Sequence, residues 1–246
     1  MQIATIARIP IRLHWSFWGL MAFYALQALF SGGLGALVSS VSLLAVLFGS
    51  VVLHELGHAL AARSFGIRTA HITLYPFGGI AALLDMPRTP RQELVVALAG
   101  PAVNFVLAAG FGVLWILTGL GWGLPAILVG INLVMGLFNL VPAFPMDGGR
   151  VLRALLAQRM GWRRGSELAM KVGRVFAWGF IGIGVLSWTP SLLLVGGFLL
   201  IALRAERARL AWATRGPLRG GVRWADPPRT THHAPSVTWR LNPPRP

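Results

Sequence analysis

The sequence contains no cysteine, and only 12% of its 246 residues are charged. Without cysteine the chain can form no disulfide, thiolate metal site or thiol nucleophile, so any metal must bind to nitrogen and oxygen ligands. The charged fraction is well below the roughly 25% of a typical soluble domain. Because 55% of the residues are hydrophobic and lie in long apolar runs, the composition indicates a membrane protein.

Acidic residues are scarce as well, since 7 Asp and Glu stand against 22 Lys and Arg and give a net charge of +15. Such a charge can indicate nucleic-acid binding, but the positions of the basic residues argue against that partner. They fall in four clusters separated by three apolar intervals: 8–12, 63–91, 150–174 and 204–245. The positive-inside rule places every cluster in the cytoplasm, so each interval crosses the membrane out and back.

This pattern predicts an all-α polytopic membrane protein with six spans and both termini in the cytoplasm. The spans are expected at about 15–30, 34–62, 94–117, 124–141, 175–188 and 192–203. The last two are shorter than the roughly 20 residues that cross the hydrocarbon, and a re-entrant hairpin is the alternative there. The predicted organisation is a cytoplasmic N-terminus, a six-span domain and a disordered basic tail in contact with anionic lipid: 1–12, 13–204 and 205–246.

Two histidines and a carboxylate interrupt the second span, in the stretch VVLHELGHAL. On a helix, His54 and His58 lie one turn apart on the same face, close enough to bind one metal ion, with Glu55 beside them. His54 precedes Arg63 by nine residues, which puts it on the order of 13 Å below the cytoplasmic surface. Ionisable groups at that depth are usually functional, so the pair predicts half of a zinc site; hydrogen bonding between helices is the alternative.

A catalytic zinc site needs a third protein ligand, and the rest of the intramembrane sequence offers Asp147 and little else. Pro142 and Pro145 forbid a regular helix just before it, while the glycines at 148–149 allow a tight bend. Irregular backbone at membrane depth is tolerated only where it is buried in protein or lines a watery cavity. Asp147 is therefore expected at a cavity near His54, and capping of the following helix is the alternative.

Four motifs in a fixed order resemble the site-2 protease family of intramembrane zinc metalloproteases, in the bacterial and archaeal branch that includes the sporulation-factor processing enzymes. They are HELGH at 54–58, YPFGGIA at 75–81, AGPAVN at 99–104 and NLVPAFPMDGGR at 139–150. The similarity extends over about 11–203. No PDZ-like insert separates the motifs, and no pair of CBS modules follows the last span. The resemblance implies a bacterial or archaeal plasma membrane as the location.

The resemblance also implies roles for individual residues. One Zn²⁺ per chain would have three protein ligands: His54, His58 and Asp147. Glu55 would be the catalytic base. Asn139 occupies the position that the family links to substrate handling, and Asn104 belongs to a motif that suggests a supporting role behind the site.

The segment 67–84 shows strand-like alternation on both sides of Pro76-Phe77-Gly78-Gly79. It predicts a small β-hairpin or re-entrant loop just under the cytoplasmic face. An exposed edge of such a hairpin can pair with an extended peptide, which makes Phe77, Gly78 and Gly79 candidates for substrate binding. A plain connecting loop is the alternative.

Together these features predict a metalloendopeptidase that cleaves a single-span membrane protein within or near the cytoplasmic end of its transmembrane segment. Zinc transport is disfavoured because the outer half of every predicted span lacks a charged residue. A zinc-binding relative that binds transmembrane segments without cutting them is the remaining alternative. The sequence leaves open a homo-oligomer and a regulatory membrane partner.

Overall fold

The structure is a computed structural model that describes residues 1–215 except for five positions: Phe77, Met86, Arg88, Leu120 and Trp122. The candidate substrate-binding residue Phe77 and the part of the predicted tail at 216–246 therefore lie outside the described residues. In chain order the elements are β1 (Gln2–Ile6), β2 (Ile9–Leu13), α1 (Trp15–Ser64), β3 (Thr69–Tyr75), β4 (Gly78–Leu83), α2 (Pro90–Thr118), α3 (Leu124–Asn139), α4 (Asp147–Met160), α5 (Trp162–Leu186) and α6 (Pro190–Arg215).

Helices make up most of the described chain, and this confirms the predicted helical membrane protein with a small β-element. Among the described residues, three helices are long and apolar enough to cross a membrane: α1, α2 and α5. Helix α3 is apolar but shorter. The six-span count stays a prediction.

Helix α1 is a hairpin of two helices. A straight helix of its 50 residues would be about 75 Å long, more than twice the roughly 30 Å of the hydrocarbon core. Gly32 and Gly33 break it with non-helical backbone angles, and Gly33 has a φ of 64°. Phe17 and Phe48, at equal sequence distances from this break, stack edge to face with their ring centroids 4.5 Å apart. The two halves thus pack side by side.

The β-element is larger than predicted, because four strands form one sheet in the order β1-β2-β3-β4. Strands β3 and β4 pair antiparallel from Thr69 with Leu83 to Tyr75 with Gly78, which confirms the hairpin at 67–84. Strand β2 pairs antiparallel with β1 and parallel with β3. Strands β1 and β2 were not predicted; every residue of β1 is exposed, so no buried face marks that strand. The partner of β2 lies far along the chain.

The sheet packs against the second half of α1. Ile11 of β2 and Ile72 of β3 are fully buried, and they lie in one apolar cluster with Phe48, Val51 and Leu56. Burial of such side chains stabilises the contact by roughly 1.5–3 kcal/mol each. The cluster fixes the sheet beside the turn of α1 that carries the two histidines.

After α3 the chain is non-helical from 140 to 146, as the prolines predict, and α4 begins at Asp147. Helices α5 and α6 form an antiparallel pair in which Gly196 lies against the backbone of Ala177. The predicted start of a disordered tail at 205 is wrong for the first part of that segment, because α6 continues to Arg215. The residues after 204 are mostly Ala, Arg, Leu and Glu, which favour helix, and the prolines begin only at Pro217.

Candidate metal centre

Two helices bring three ionisable side chains together in the interior. His54 and His58 are on α1, Asp147 is the first residue of α4, and all three are buried, with 5%, 5% and 7% of their surfaces exposed. The Nε2 atoms of the histidines are 3.1 Å apart. Oδ2 of Asp147 lies 3.2 Å from Nε2 of His54 and 3.0 Å from Nε2 of His58. The three atoms form a nearly equilateral triangle.

The size of this triangle fits a zinc ion. Nitrogen and oxygen ligands of tetrahedral zinc lie at about 2.0–2.2 Å from the metal, so they are about 3.3–3.6 Å from each other. The observed separations of 3.0–3.2 Å are only a few tenths of an ångström shorter. The set of two imidazoles and one carboxylate leaves a fourth coordination position free, as catalytic zinc sites do.

The hydrogen bonding of His58 also fits a metal ligand. Its Nδ1 lies 2.7 Å from the carbonyl oxygen of Val96, and because that oxygen can only accept, Nδ1 carries the proton and donates it. A neutral imidazole protonated at Nδ1 has a lone pair at Nε2. That lone pair faces the carboxylate of Asp147, which is repulsive unless a cation lies between them. An outer hydrogen bond of this kind is typical of metal-binding histidines.

His54 and Asp147 differ from His58 in their contacts outside the triangle. Nδ1 of His54 is buried and has no hydrogen-bond partner among the described residues. The second carboxylate oxygen of Asp147, Oδ1, lies 3.6 Å from Nη1 of Arg150, whose side chain is 25% exposed. This charge holds the carboxylate so that Oδ2 is directed at the histidines.

Gly100 of α2 forms the floor of the site. A Cβ atom there would lie 2.3 Å from Nε2 of His58 and 2.7 Å from Nε2 of His54. Contacts this short do not occur for real Cβ atoms, so only glycine allows α2 to pass so close to both histidines. The backbone of α2 at Gly100 therefore lies directly against both histidines.

The glycines after Asp147 have a related role. A Cβ atom at Gly148 would lie 2.2 Å from the carbonyl oxygen of Leu140, and one at Gly149 would lie 2.7 Å from the backbone nitrogen of Phe144. The segment 140–146 thus folds back directly over the first turn of α4. This close packing sets the position of Asp147.

Glu55 lies beside the metal triangle and under strand β4. A Cβ atom at Gly79 would be 2.5 Å from Cγ of Glu55 and 3.3 Å from its Oε1. The hairpin backbone therefore touches the carboxylate side chain directly. Gly78, the residue before Gly79 and the first of β4, has a φ of 140°, a backbone conformation that L side chains rarely adopt.

The two predicted asparagines lie in different surroundings. Asn139 ends α3, is half-buried, and donates from Nδ2 to the carbonyl of Met135 over 2.9 Å. Asn104 follows Gly100 by one turn of α2 and is fully buried. Neither its Nδ2 nor its Oδ1 has a partner among the described residues. A third asparagine, Asn132 of α3, donates to Ser50 one turn before His54, over 3.3 Å.

Sequence reasoning missed a charged cluster next to the segment 140–146. Arg153 of α4 forms ion pairs with Glu93 of α2 and with Glu206 of α6. Its guanidinium also lies over the rings of Phe144 and Trp162, at 4.9 and 4.7 Å from their centroids. In the sequence, Glu93 is a single charge near the start of an apolar interval. Nothing in the local pattern indicated its partner.

A buried triangle of two imidazoles and a carboxylate, with a glutamate beside it, defines a metallohydrolase-type centre in a helical membrane protein. Comparison with known proteins agrees. The profile of peptidase family M50 matches residues 42–121 and 119–180 of this chain. The chain belongs to peptidase family M50, and the resemblance to site-2 proteases is confirmed.

Individual relatives extend the comparison. The chain is 36% identical over 214 residues to zinc metalloprotease MJ0392 of Methanocaldococcus jannaschii, covering 83% of this chain and 60% of that relative. It is 29% identical over 144 residues to stage IV sporulation protein FB of Bacillus subtilis, covering 58% of this chain and 50% of that protein. The matches thus span between half and three fifths of the length of these relatives.

A solved structure, that of the site-2 protease from Methanocaldococcus jannaschii, is similar with a TM-score of 0.61 and 33% identity. The match covers 84% of this chain and 94% of that one. Together with the metalloprotease relatives and the His54–His58–Asp147 cluster, it confirms the predicted zinc cofactor.

Proposed function

We propose that this protein is an intramembrane zinc metalloprotease that hydrolyses a peptide bond within or near the cytoplasmic end of a substrate's transmembrane segment. The observation that carries the proposal is the buried triangle of His54, His58 and Asp147, with Glu55 on the same helix beneath β4. Buried ionisable groups in an apolar helix destabilise the fold unless a cation compensates them, which supports a functional role.

The three ligand residues would hold zinc through Nε2 of His54, Nε2 of His58 and Oδ2 of Asp147. Bound there, zinc supplies polarisation of the scissile carbonyl and activation of water for attack. Val96 keeps His58 in the tautomer that presents Nε2, and Arg150 keeps the free oxygen of Asp147 turned away. These two contacts thus orient His58 and Asp147 within the site.

Glu55 would move the proton. Its carboxylate takes a proton from the attacking water and returns it to the nitrogen of the leaving amine. The contact with the Gly79 backbone limits the positions that the side chain can adopt. A base held in one place by its surroundings needs less reorganisation during the reaction.

Strand β4 would present the substrate. A peptide bond inside a helix is shielded by its own hydrogen bonds, so the substrate must be extended before it is cut. In the described part of the chain β4 is an edge of the sheet, and Gly79 in this strand touches Glu55. A substrate paired along β4 would pass the base directly. Gly78, Gly79 and Phe77 are the proposed contacts on this side, with Asn139 at the start of the segment 140–146.

The proposed topology has six spans, with both termini in the cytoplasm. Contacts between the basic clusters support it. Arg63 donates to the carbonyl of Ala7, the residue before Arg8, over 2.9 Å, which brings the first two clusters together. Arg153 pairs with Glu93 and Glu206, which follow Arg91 and Arg204 by two residues and so join the others. The proposed partners are a single-span membrane protein as substrate and membrane lipid.

The test compares cells that express the wild type or Glu55→Gln. New protein N-termini in membranes and cytosol are identified, and zinc in the purified proteins is measured. We expect termini inside predicted spans only with the wild type, and equal zinc in both proteins. Cleavage that persists in Glu55→Gln would refute the assigned base. Absence of termini inside predicted spans with either protein, with zinc present in both, would favour the relative that binds transmembrane segments without cutting them.

A further inference from the structure

Arg153 is the centre of a buried charged cluster that joins α4 to four other parts of the protein. Its Nε lies 3.1 Å from Oε1 of Glu93, and its Nη1 binds Glu206. The side chain is 13% exposed, and those of Glu93 and Glu206 are 3% and 19% exposed. The rings of Phe144 and Trp162 lie against the same guanidinium.

Two of these contacts lead to the metal ligands. Phe144 belongs to the non-helical segment and precedes Asp147 by three residues, so the ring contact holds the chain that delivers this ligand. Glu93 precedes Val96 by three residues on α2, and Val96 accepts the hydrogen bond from His58. The Arg153–Glu93 pair therefore ties the start of α4 to the turn of α2 that orients His58.

The cluster depends on the arginine. Glu93 is almost completely buried, and its Oε2 has no hydrogen-bond partner among the described residues. Without Arg153 the carboxylate would be a buried charge with no ion-pair partner in the described part of the chain, which strongly destabilises its surroundings. A lysine would keep the charge but lose the planar fork that reaches two carboxylates and stacks on rings.

We propose that Arg153 is a positioning residue, which holds Asp147 and His58 at the separation that zinc requires. The inference rests on the proposed function for its catalytic readout but not for its metal readout. It also gives α6 a role, because Glu206 connects that helix to the ligand-bearing segment.

The experiment uses the full chain in nanodiscs. Zinc affinity is measured by competition with a chelator, the melting temperature is measured on the same samples, and kcat and KM are measured on a substrate found by the N-terminus comparison. For Arg153→Gln we expect zinc affinity to fall about 10–100-fold, as for other residues that orient metal ligands. We expect kcat to fall with it while KM changes little. Arg153→Lys should recover part of both losses.

The matched control is Arg163→Gln, which removes the same charge from an exposed pair with Glu167 on α5. It should leave zinc affinity and kcat unchanged. If Arg153→Gln does not fold, Arg153→Lys and Glu206→Gln decide. The proposal is overturned if the variants that fold bind zinc with the affinity of the wild type. A fall in zinc affinity without any cleavage by the wild type would support positioning and refute proteolysis, so the two failures are distinguishable.

Discussion

Replacement of Gly100 by alanine tests whether the close approach of α2 is what shapes the metal site. The added Cβ would lie 2.3 Å from Nε2 of His58 and 2.7 Å from Nε2 of His54. Ordinary contact needs at least about 3.4 Å, so helix α2 or the imidazoles must move by about 1 Å. Metal–ligand distances tolerate only about 0.2 Å. The displacement is therefore several times larger than the site can absorb.

We expect Gly100→Ala to lower zinc affinity by at least about 100-fold, which is the upper end of the effect of losing an orienting contact. His58 cannot rotate away freely, because its Nδ1 is bonded to Val96 on the same helix as the new methyl group. The assay is chelator competition on the purified protein, together with metal analysis of the protein as isolated.

Gly110→Ala is the matched control, because Gly110 is on the same helix and a Cβ there would meet no atom within 4 Å. Alanine is favoured over glycine in a helix by about 1 kcal/mol, so this variant should be at least as stable as the wild type. Its zinc affinity should be unchanged. A Gly100→Ala protein that holds zinc with wild-type affinity would show that the site is not shaped by this contact.

Two further substitutions separate the parts of the site. Gly79→Ala should keep zinc but reduce cleavage by at least about tenfold, because the new Cβ would lie 2.5 Å from Cγ of Glu55 and so displace that side chain. Metal analysis and a cleavage assay measure the two effects, and loss of zinc would contradict the assignment. Asn104→Leu should not lower the melting temperature, since a buried amide that has no partner among the described residues is itself unfavourable by about 1–3 kcal/mol. A clear decrease would reveal hydrogen bonds to this side chain.

Several features of the fold follow from local sequence. The spacing of His54 and His58 places them on one helical face in any helix. The prolines at 142 and 145 exclude a regular helix before Asp147, and the structure has none there. Alternation around the glycines at 78–79 predicts the β3–β4 hairpin. Each of these follows from backbone geometry over a few residues, and none depends on what lies elsewhere in the chain.

Other features could be predicted from the sequence only in part. Asp147 is expected at the site because few other intramembrane residues can bind a metal, not because any pattern joins it to His58, which is 89 residues away. Strands β1 and β2 and the helical continuation at 205–215 were not predicted. Strand β1 pairs with β2, and the further partner of β2 is β3, which is distant in the chain. The helical continuation has helix-favouring residues and is also held by the pair of Glu206 with the distant Arg153.

The sequence by itself determined the class of the protein, because apolar runs, basic clusters and ligand spacing act through solvent preference and helix periodicity. Only the tertiary structure decided which groups support the ligands. The Val96 carbonyl, the passage of Gly100 beside both histidines and the Arg153–Glu93 pair all depend on how helices from separate parts of the chain lie against one another. That arrangement results from packing over the whole bundle, and no local periodicity encodes it.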